Sequence, residues 1–250
     1  MRPDRSGLQV NKSIAADKPL NAALGSKMKR NIVREITERK TRNSASDRIF
    51  AFSERHRLIG ESYRRLVEIA DPSGTTVDPE LCRYFPVALV AAVEGYYRKC
   101  VADLVNSGVP YQQRAAEIRN LRPNTETKEA LKKEQISHGD HIAHFISIGS
   151  LDDVNRVLSA LVGFDFLERI LTSDFHLFEE DDPLTFRESD ALIIEAAREL
   201  FHTRHMLCHE FAPNVQPDIA DILRMLAVTD TLVALSEVIL ICVERGEANE

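Results

Sequence analysis

Tryptophan is absent from the sequence and glycine is scarce, ten in 250 residues. That argues against a glycine-rich β fold and against a dinucleotide-binding fold, whose phosphate turn needs several glycines. Cysteine is sparse too. Cys82, Cys100, Cys208 and Cys242 lie far apart and form no C-x-x-C pair, so buried free thiols in a reducing compartment fit better than a disulfide framework. The opening residues, M-R-P-D-R-S-G-L-Q-V, hold no apolar stretch of the kind a secretory leader requires. Long apolar runs are missing as well. The longest, Phe85 to Val93, is too short to span a bilayer, and the expectation is a soluble cytoplasmic protein with no membrane segment.

What the chain does hold is enough apolar material, 44%, for a sizeable core in one large domain or one domain with an extension. Its net charge of −7 conceals an asymmetry. Residues 1–48 carry 12 Lys/Arg against 5 Asp/Glu, whereas the remainder carries 20 against 34. A basic arm on an acidic body can contact RNA phosphates or an acidic partner surface, and it can equally be a solvated terminus. Residues 1–45 are therefore expected to form a basic, partly disordered arm, and residues 46–250 an all-α domain.

The helical periods are clear. Ser46 or Asp47 can cap a helix running to about Ala70, with Ile49, Phe52, Ile59, Tyr63, Leu66 and Val67 on its apolar side. After the turn formers of D-P-S-G-T-T-V-D-P comes the most regular helix, from about Tyr84, with Pro86 in its first turn and Gly108 at its end. Val87, Val90, Tyr97, Val101 and Leu104 share one face, and Glu94 falls on that face too. A carboxylate there calls for an Arg or His from another helix, unless it reaches water at the stripe's edge. A short helix is expected after Pro110 and a charged one over residues 128–136. In S-H-G-D-H-I-A-H-F, Gly139 is expected to break the helix. Ser150 or Asp152 opens a further helix that Gly163 closes, and F-D-F-L-E-R-I-L continues helically. Thr185 and Glu188 match a capping box, followed by an apolar face of Leu192, Ile193, Ala196, Ala197 and Leu200. From Asp218 a long final helix carries Ile219, Leu223, Leu226, Val233, Val238 and Ile241. No internal repeat and no strand is evident.

Two histidine groups bear on chemistry. His138, His141 and His144, with Asp140 among them, admit metal ligation in composition, but spacings of three and three do not put all three on one tight face. The second group is R-H-M-L-C-H, Arg204 to His209. Metal-free RNA cleavage needs a base for the 2′-OH proton, an acid for the departing 5′-oxygen and a cation for the phosphate. Histidine suits the first two roles and the planar guanidinium the third. Arg204, His205 and His209 supply these types, with no metal or cofactor called for. On an unbroken helix positions five apart diverge by about 140°, so Arg204 and His209 converge best if the last turn unwinds before Pro213. His202, His205 and His209 also read as a zinc face, although H-x-x-H-x-x-x-H is not the metalloprotease pattern. Cys208 reads as a small apolar packer. From the residues alone, RNA cleavage, zinc binding and a plain surface cluster all stay open.

The motif nevertheless resembles that of the HEPN ribonuclease domains, particularly their RiboL-PSP-type branch. In that family an Arg is followed, after four to six residues, by a His, often with a polar residue directly after the Arg. R-H-M-L-C-H fits, with His205 in the polar position. V-A-L-V-A-A-V-E-G-Y-Y-R-K resembles the family's opening helix, including its Glu and Arg, here Glu94 and Arg98. S-L-D-D-V-N-R-V-L-S-A-L-V-G resembles its middle helix, and the resemblance covers about residues 84–245. It implies a helical bundle that forms a homodimer with two motifs in one cleft. It also implies metal-independent endoribonuclease activity on an RNA substrate, with Arg204 and His209 catalytic, His205 assisting, and Glu94 and Arg98 in support. Such domains often serve as toxins or in phage defence and stress, some with an antitoxin or regulatory partner; others are non-catalytic RNA- or protein-binding modules. One departure is E-F-A-P-N-V after the final His, where Glu210 would repel phosphate.

Overall fold

The computed structural model describes residues 48–69, 78–119, 129, 131–172, 183–209 and 214–246. The expected basic arm, residues 1–45, the acidic connection before Pro183 and the stretch from Glu210 to Pro213 lie outside the described residues. Among the described residues there is no strand, and the fold is all-α. Among the described residues, eight helices of seven residues or more follow in order: α1 (Arg48–Ile69), α2 (Pro79–Ser107), α3 (Val109–Arg119), α4 (His138–Phe145), α5 (Leu151–Val162), α6 (Phe166–Thr172), α7 (Pro183–His209) and α8 (Ile219–Arg245).

Helix α2 is the axis of the bundle, with α1, α3, α4, α5, α7 and α8 all packed on it. Its sequence explains why. Leu89, Val90, Val93, Tyr97, Cys100, Val101, Leu104 and Val105 are buried on successive turns, so the apolar surface wraps most of the cylinder. Tyr97 is fully buried, and its hydroxyl shares a 2.8 Å hydrogen bond with Ser236 of α8, which offsets the cost of burying both groups. The helix starts earlier than the sequence suggests. Asp78 accepts from the Glu80 amide and Pro79 takes the first position, so Pro86 lies inside the helix rather than in its first turn. At the other end Gly108 has extended backbone, and α3 begins at the next residue.

Three local expectations are met by named caps. Ser150 accepts from the Asp153 amide to open α5, and Gly163, at φ 91°, closes it in the left-handed region. Asp218 and Asp221 form a reciprocal capping box at the start of α8. The capping box expected at Thr185 is not a cap, because α7 already begins at Pro183. Of the charged helix expected over 128–136, residues 129 and 131–133 are helical and the turn ends at Gln135, with φ 54°.

Gly139 does not break its helix; it sits inside α4, which Ser137 caps. A Cβ at that position would stand 2.1 Å from the Ala102 carbonyl oxygen of α2, so the glycine is there to let two backbones approach closely. The α4 C-terminus is held by Arg98, which donates to the carbonyls of Ala143 and Ile146 at 2.8 and 2.7 Å.

On α7 four of the five expected apolar positions lie in or against the core, whereas on α8 only Leu226 and Val233 of the six expected are buried. On α7 the buried positions are Ile194, Ala197, Leu200 and Phe201, while Leu192 is 69% exposed. On α8 they include Ile222, Met225, Leu226, Leu232, Val233, Leu235, Ile239 and Leu240, while Leu223 is 56% exposed. By length and composition α8 can cross a membrane, with a hydropathy of 2.1 in its most apolar window, half of which is buried in the bundle. Thr229, Asp230, Ser236 and Glu237 punctuate the helix, so it contains no long uninterrupted apolar run.

A buried ionic network ties the two ends of the described chain together. Arg48, only 8% exposed, donates to Glu237 at 2.9 Å and Glu244 at 2.7 Å and lies 3.6 Å from Asp103. Tyr96 adds a 2.7 Å hydrogen bond to Glu237. One guanidinium thus joins α1, α2 and α8. Nearby, His56 of α1 contacts the Leu226 carbonyl through Nε2 at 3.0 Å; since a carbonyl only accepts, that nitrogen carries the proton.

Candidate functional site

The phase of α7 decides what its last turns present. The buried ridge Ala197, Leu200 and Phe201 continues at three- and four-residue spacing to Arg204. Arg204 therefore turns inward, toward α2, where Glu94 occupies the next-to-apolar position between Val90 and Tyr97. Arg204 Nη2 donates to Glu94 Oε1 at 2.6 Å, and the side chains are 21% and 17% exposed. The buried-face carboxylate has the cationic partner from another helix that its position calls for.

Two opposing influences act on the Glu94 carboxyl. Burial pushes its pKa above the ordinary value, and the guanidiniums of Arg204 and Arg98 pull it down; burial is the larger. Arg98, one turn further along α2, directs its hydrogen bonds to the end of α4, so its role at the site is to hold α4 against α2 beside the ion pair.

The imidazoles face elsewhere. His205 and His209 are exposed, four residues apart, with ring centroids separated by 4.9 Å. Helix α7 remains helical through His209, so the unwinding that would bring Arg204 and His209 to one face does not occur before that residue. Their directions stay about 140° apart around the axis. The structure thus brings Arg204 to Glu94 and His205 to His209, and sets the two pairs on adjoining sides of one helix end. His202 is exposed on the same outer side. Cys208 is exposed rather than packed, since the last turn of α7 contains no fully buried residue.

Among the described residues, no group of three His, Cys, Asp or Glu side chains is arranged to hold a metal ion. In the other histidine group His141 is buried in α4 against the ring of Phe145, and His138 and His144 are half-buried on either side of it. Burial and those two neighbours hold the His141 pKa below its usual value. The network around Arg48 escaped the sequence reading; its trace is the seven-residue spacing of Glu237 and Glu244, which puts both carboxylates on one side of α8.

The molecule is, by fold, an all-α bundle whose axial helix lends a carboxylate to an arginine at the end of a neighbouring helix. Compared with family models, with curated proteins and with solved structures, the chain matches none.

Proposed function

We propose that the chain is a HEPN-like, metal-independent endoribonuclease acting as a cytoplasmic homodimer, in a toxin, phage-defence or stress role. The observation that supports this reading is the joint presence, at one helix end, of a guanidinium anchored by Glu94 and an exposed pair of imidazoles. In the proposed reaction an imidazole removes the 2′-OH proton and the 2′-oxygen attacks phosphorus. The bond from phosphorus to the 5′-oxygen breaks, and that oxygen takes a proton from a second imidazole. One product keeps a 2′,3′-cyclic phosphate and the other a free 5′-OH. Arg204 offsets the charge on the phosphoryl oxygens, His209 acts as the acid–base group and His205 assists it. Because Arg204 and His209 of one chain diverge, the cleft is completed by the motif of a second copy. The test is incubation, in excess chelator, of an RNA and of the same RNA with its 2′-oxygens methylated. Cleavage of the first alone, with cyclic phosphate ends, is the expected result; cleavage of both excludes 2′-OH attack.

A second reading, a non-catalytic RNA- or protein-binding module, is favoured by one observation: the guanidinium of Arg204 is occupied by Glu94 and turned from the imidazoles. Specific RNA binding without any turnover would select it.

A further inference from the structure

The Glu94–Arg204 contact runs through one oxygen and one nitrogen. A guanidinium offers five N–H donors in a plane, and among the described residues Glu94 is the only hydrogen-bond partner of Arg204. A permanent brace that aims an arginine is expected to be a two-bond fork or a sealed interior pair. This pair is neither, since solvent reaches both side chains. Glu94 also holds its charge at an unfavourable place, where burial outweighs the guanidiniums around it. A carboxylate in that position presents to Arg204 what a phosphate oxygen would present: a compact anion at charge-assisted hydrogen-bond distance.

We propose that Glu94 is an internal stand-in for phosphate, a latch that masks Arg204 until a phosphodiester displaces the carboxylate. The inference rests on the reading of Arg204 as the phosphate-binding cation of the site. It makes the motif a two-state element, latched or open, in which apparent affinity for a phosphodiester is reduced by the share of latched molecules. Loss of the carboxylate opens the latch without touching the guanidinium.

The experiment measures binding of a 2′-O-methyl RNA oligonucleotide, which cannot be cut through its 2′-oxygen, to the full chain and its variants. Glu94→Gln, nearly isosteric, is expected to bind about tenfold tighter than wild type. The gain should vanish when Arg204→Ala is added. Binding by Glu94→Gln equal to or weaker than wild type, including no binding by either, overturns the latch. Should Glu94→Gln fail to fold, the wild type itself decides. The carboxyl carbon resonance of Glu94 moves on RNA addition if the carboxylate is displaced, and a resonance that stays fixed at saturation overturns the proposal. Cleavage does not enter these readouts, so a latch without nuclease activity and a nuclease without a latch give different results.

Discussion

Replacing Gly139 with alanine adds one methyl group at the closest approach of α4 and α2. The new Cβ would stand 2.1 Å from the carbonyl oxygen of Ala102 and 2.8 Å from two atoms of the Asn106 side chain. Asn106 can swing away, but the Ala102 carbonyl belongs to the backbone of a 29-residue helix. Carbon–oxygen contacts settle near about 3.3 Å, so α4 has to retreat by roughly 1 Å. That retreat strains the 2.9 Å hydrogen bond from the Gly139 amide to Asn106 and the two that Arg98 makes to the end of α4. Overpacking of this kind costs about 1–3 kcal/mol, and alanine returns about 1 kcal/mol of helix propensity. With the strained hydrogen bonds added, the net loss should be about 2 kcal/mol, or roughly 4–8 °C in Tm. Urea unfolding followed by circular dichroism measures it. The control is Gly95→Ala, at an exposed position of α2 where a Cβ meets nothing within 4 Å. It should be stabilising by up to about 1 kcal/mol. A Gly139→Ala protein as stable as wild type would refute the close-approach argument.

The buried guanidinium and the buried imidazole give two further expectations. Arg48→Leu leaves Glu237 and Glu244 facing each other without their cation and should cost about 2–3 kcal/mol, discounted because Glu244 is partly exposed. A loss under about 1 kcal/mol by chemical unfolding would show that water replaces the guanidinium. For His141 the folded pKa lies below the ordinary 6.5. As pH falls the unfolded chain binds the proton first, so this group's share of stability is intact above pH 6.5 and lost as pH falls through the folded value. Wild type should therefore lose more stability than His141→Leu between about pH 7.5 and pH 5.5, and equal losses would contradict the assignment.

The sequence carried the bundle's caps and its axis more faithfully than its helix phases. Ser150 and Gly163 act within one turn of themselves, so their roles are readable from spacing alone. Glu94 was legible for a related reason: a carboxylate on an apolar face demands a partner, although its identity depends on which helix lies opposite. Phase is less local. On α7 and α8 apolar residues occur on more than one side, and the choice between Leu192 and Ile194, or Leu223 and Ile222, is made by the neighbouring helices. That choice matters at the site, because the phase that buries Phe201 also turns Arg204 inward and His209 outward. Gly139 was misread because its usual role as a breaker is local, whereas its role here depends on a backbone carbonyl 37 positions earlier in the chain. The Arg48 network spans separations of up to 196 residues, which no local pattern encodes.

Metal-free RNA cleavage by the α7 motif is the proposed activity. Its most direct test compares wild type, Arg204→Ala and His209→Ala on the same RNA in excess EDTA, with each protein's fold and oligomeric state checked beforehand. Wild type should cleave and leave 2′,3′-cyclic phosphate ends, and each variant should be slower by about 10²–10⁴-fold. Cleavage by folded His209→Ala at the wild-type rate would contradict the claim.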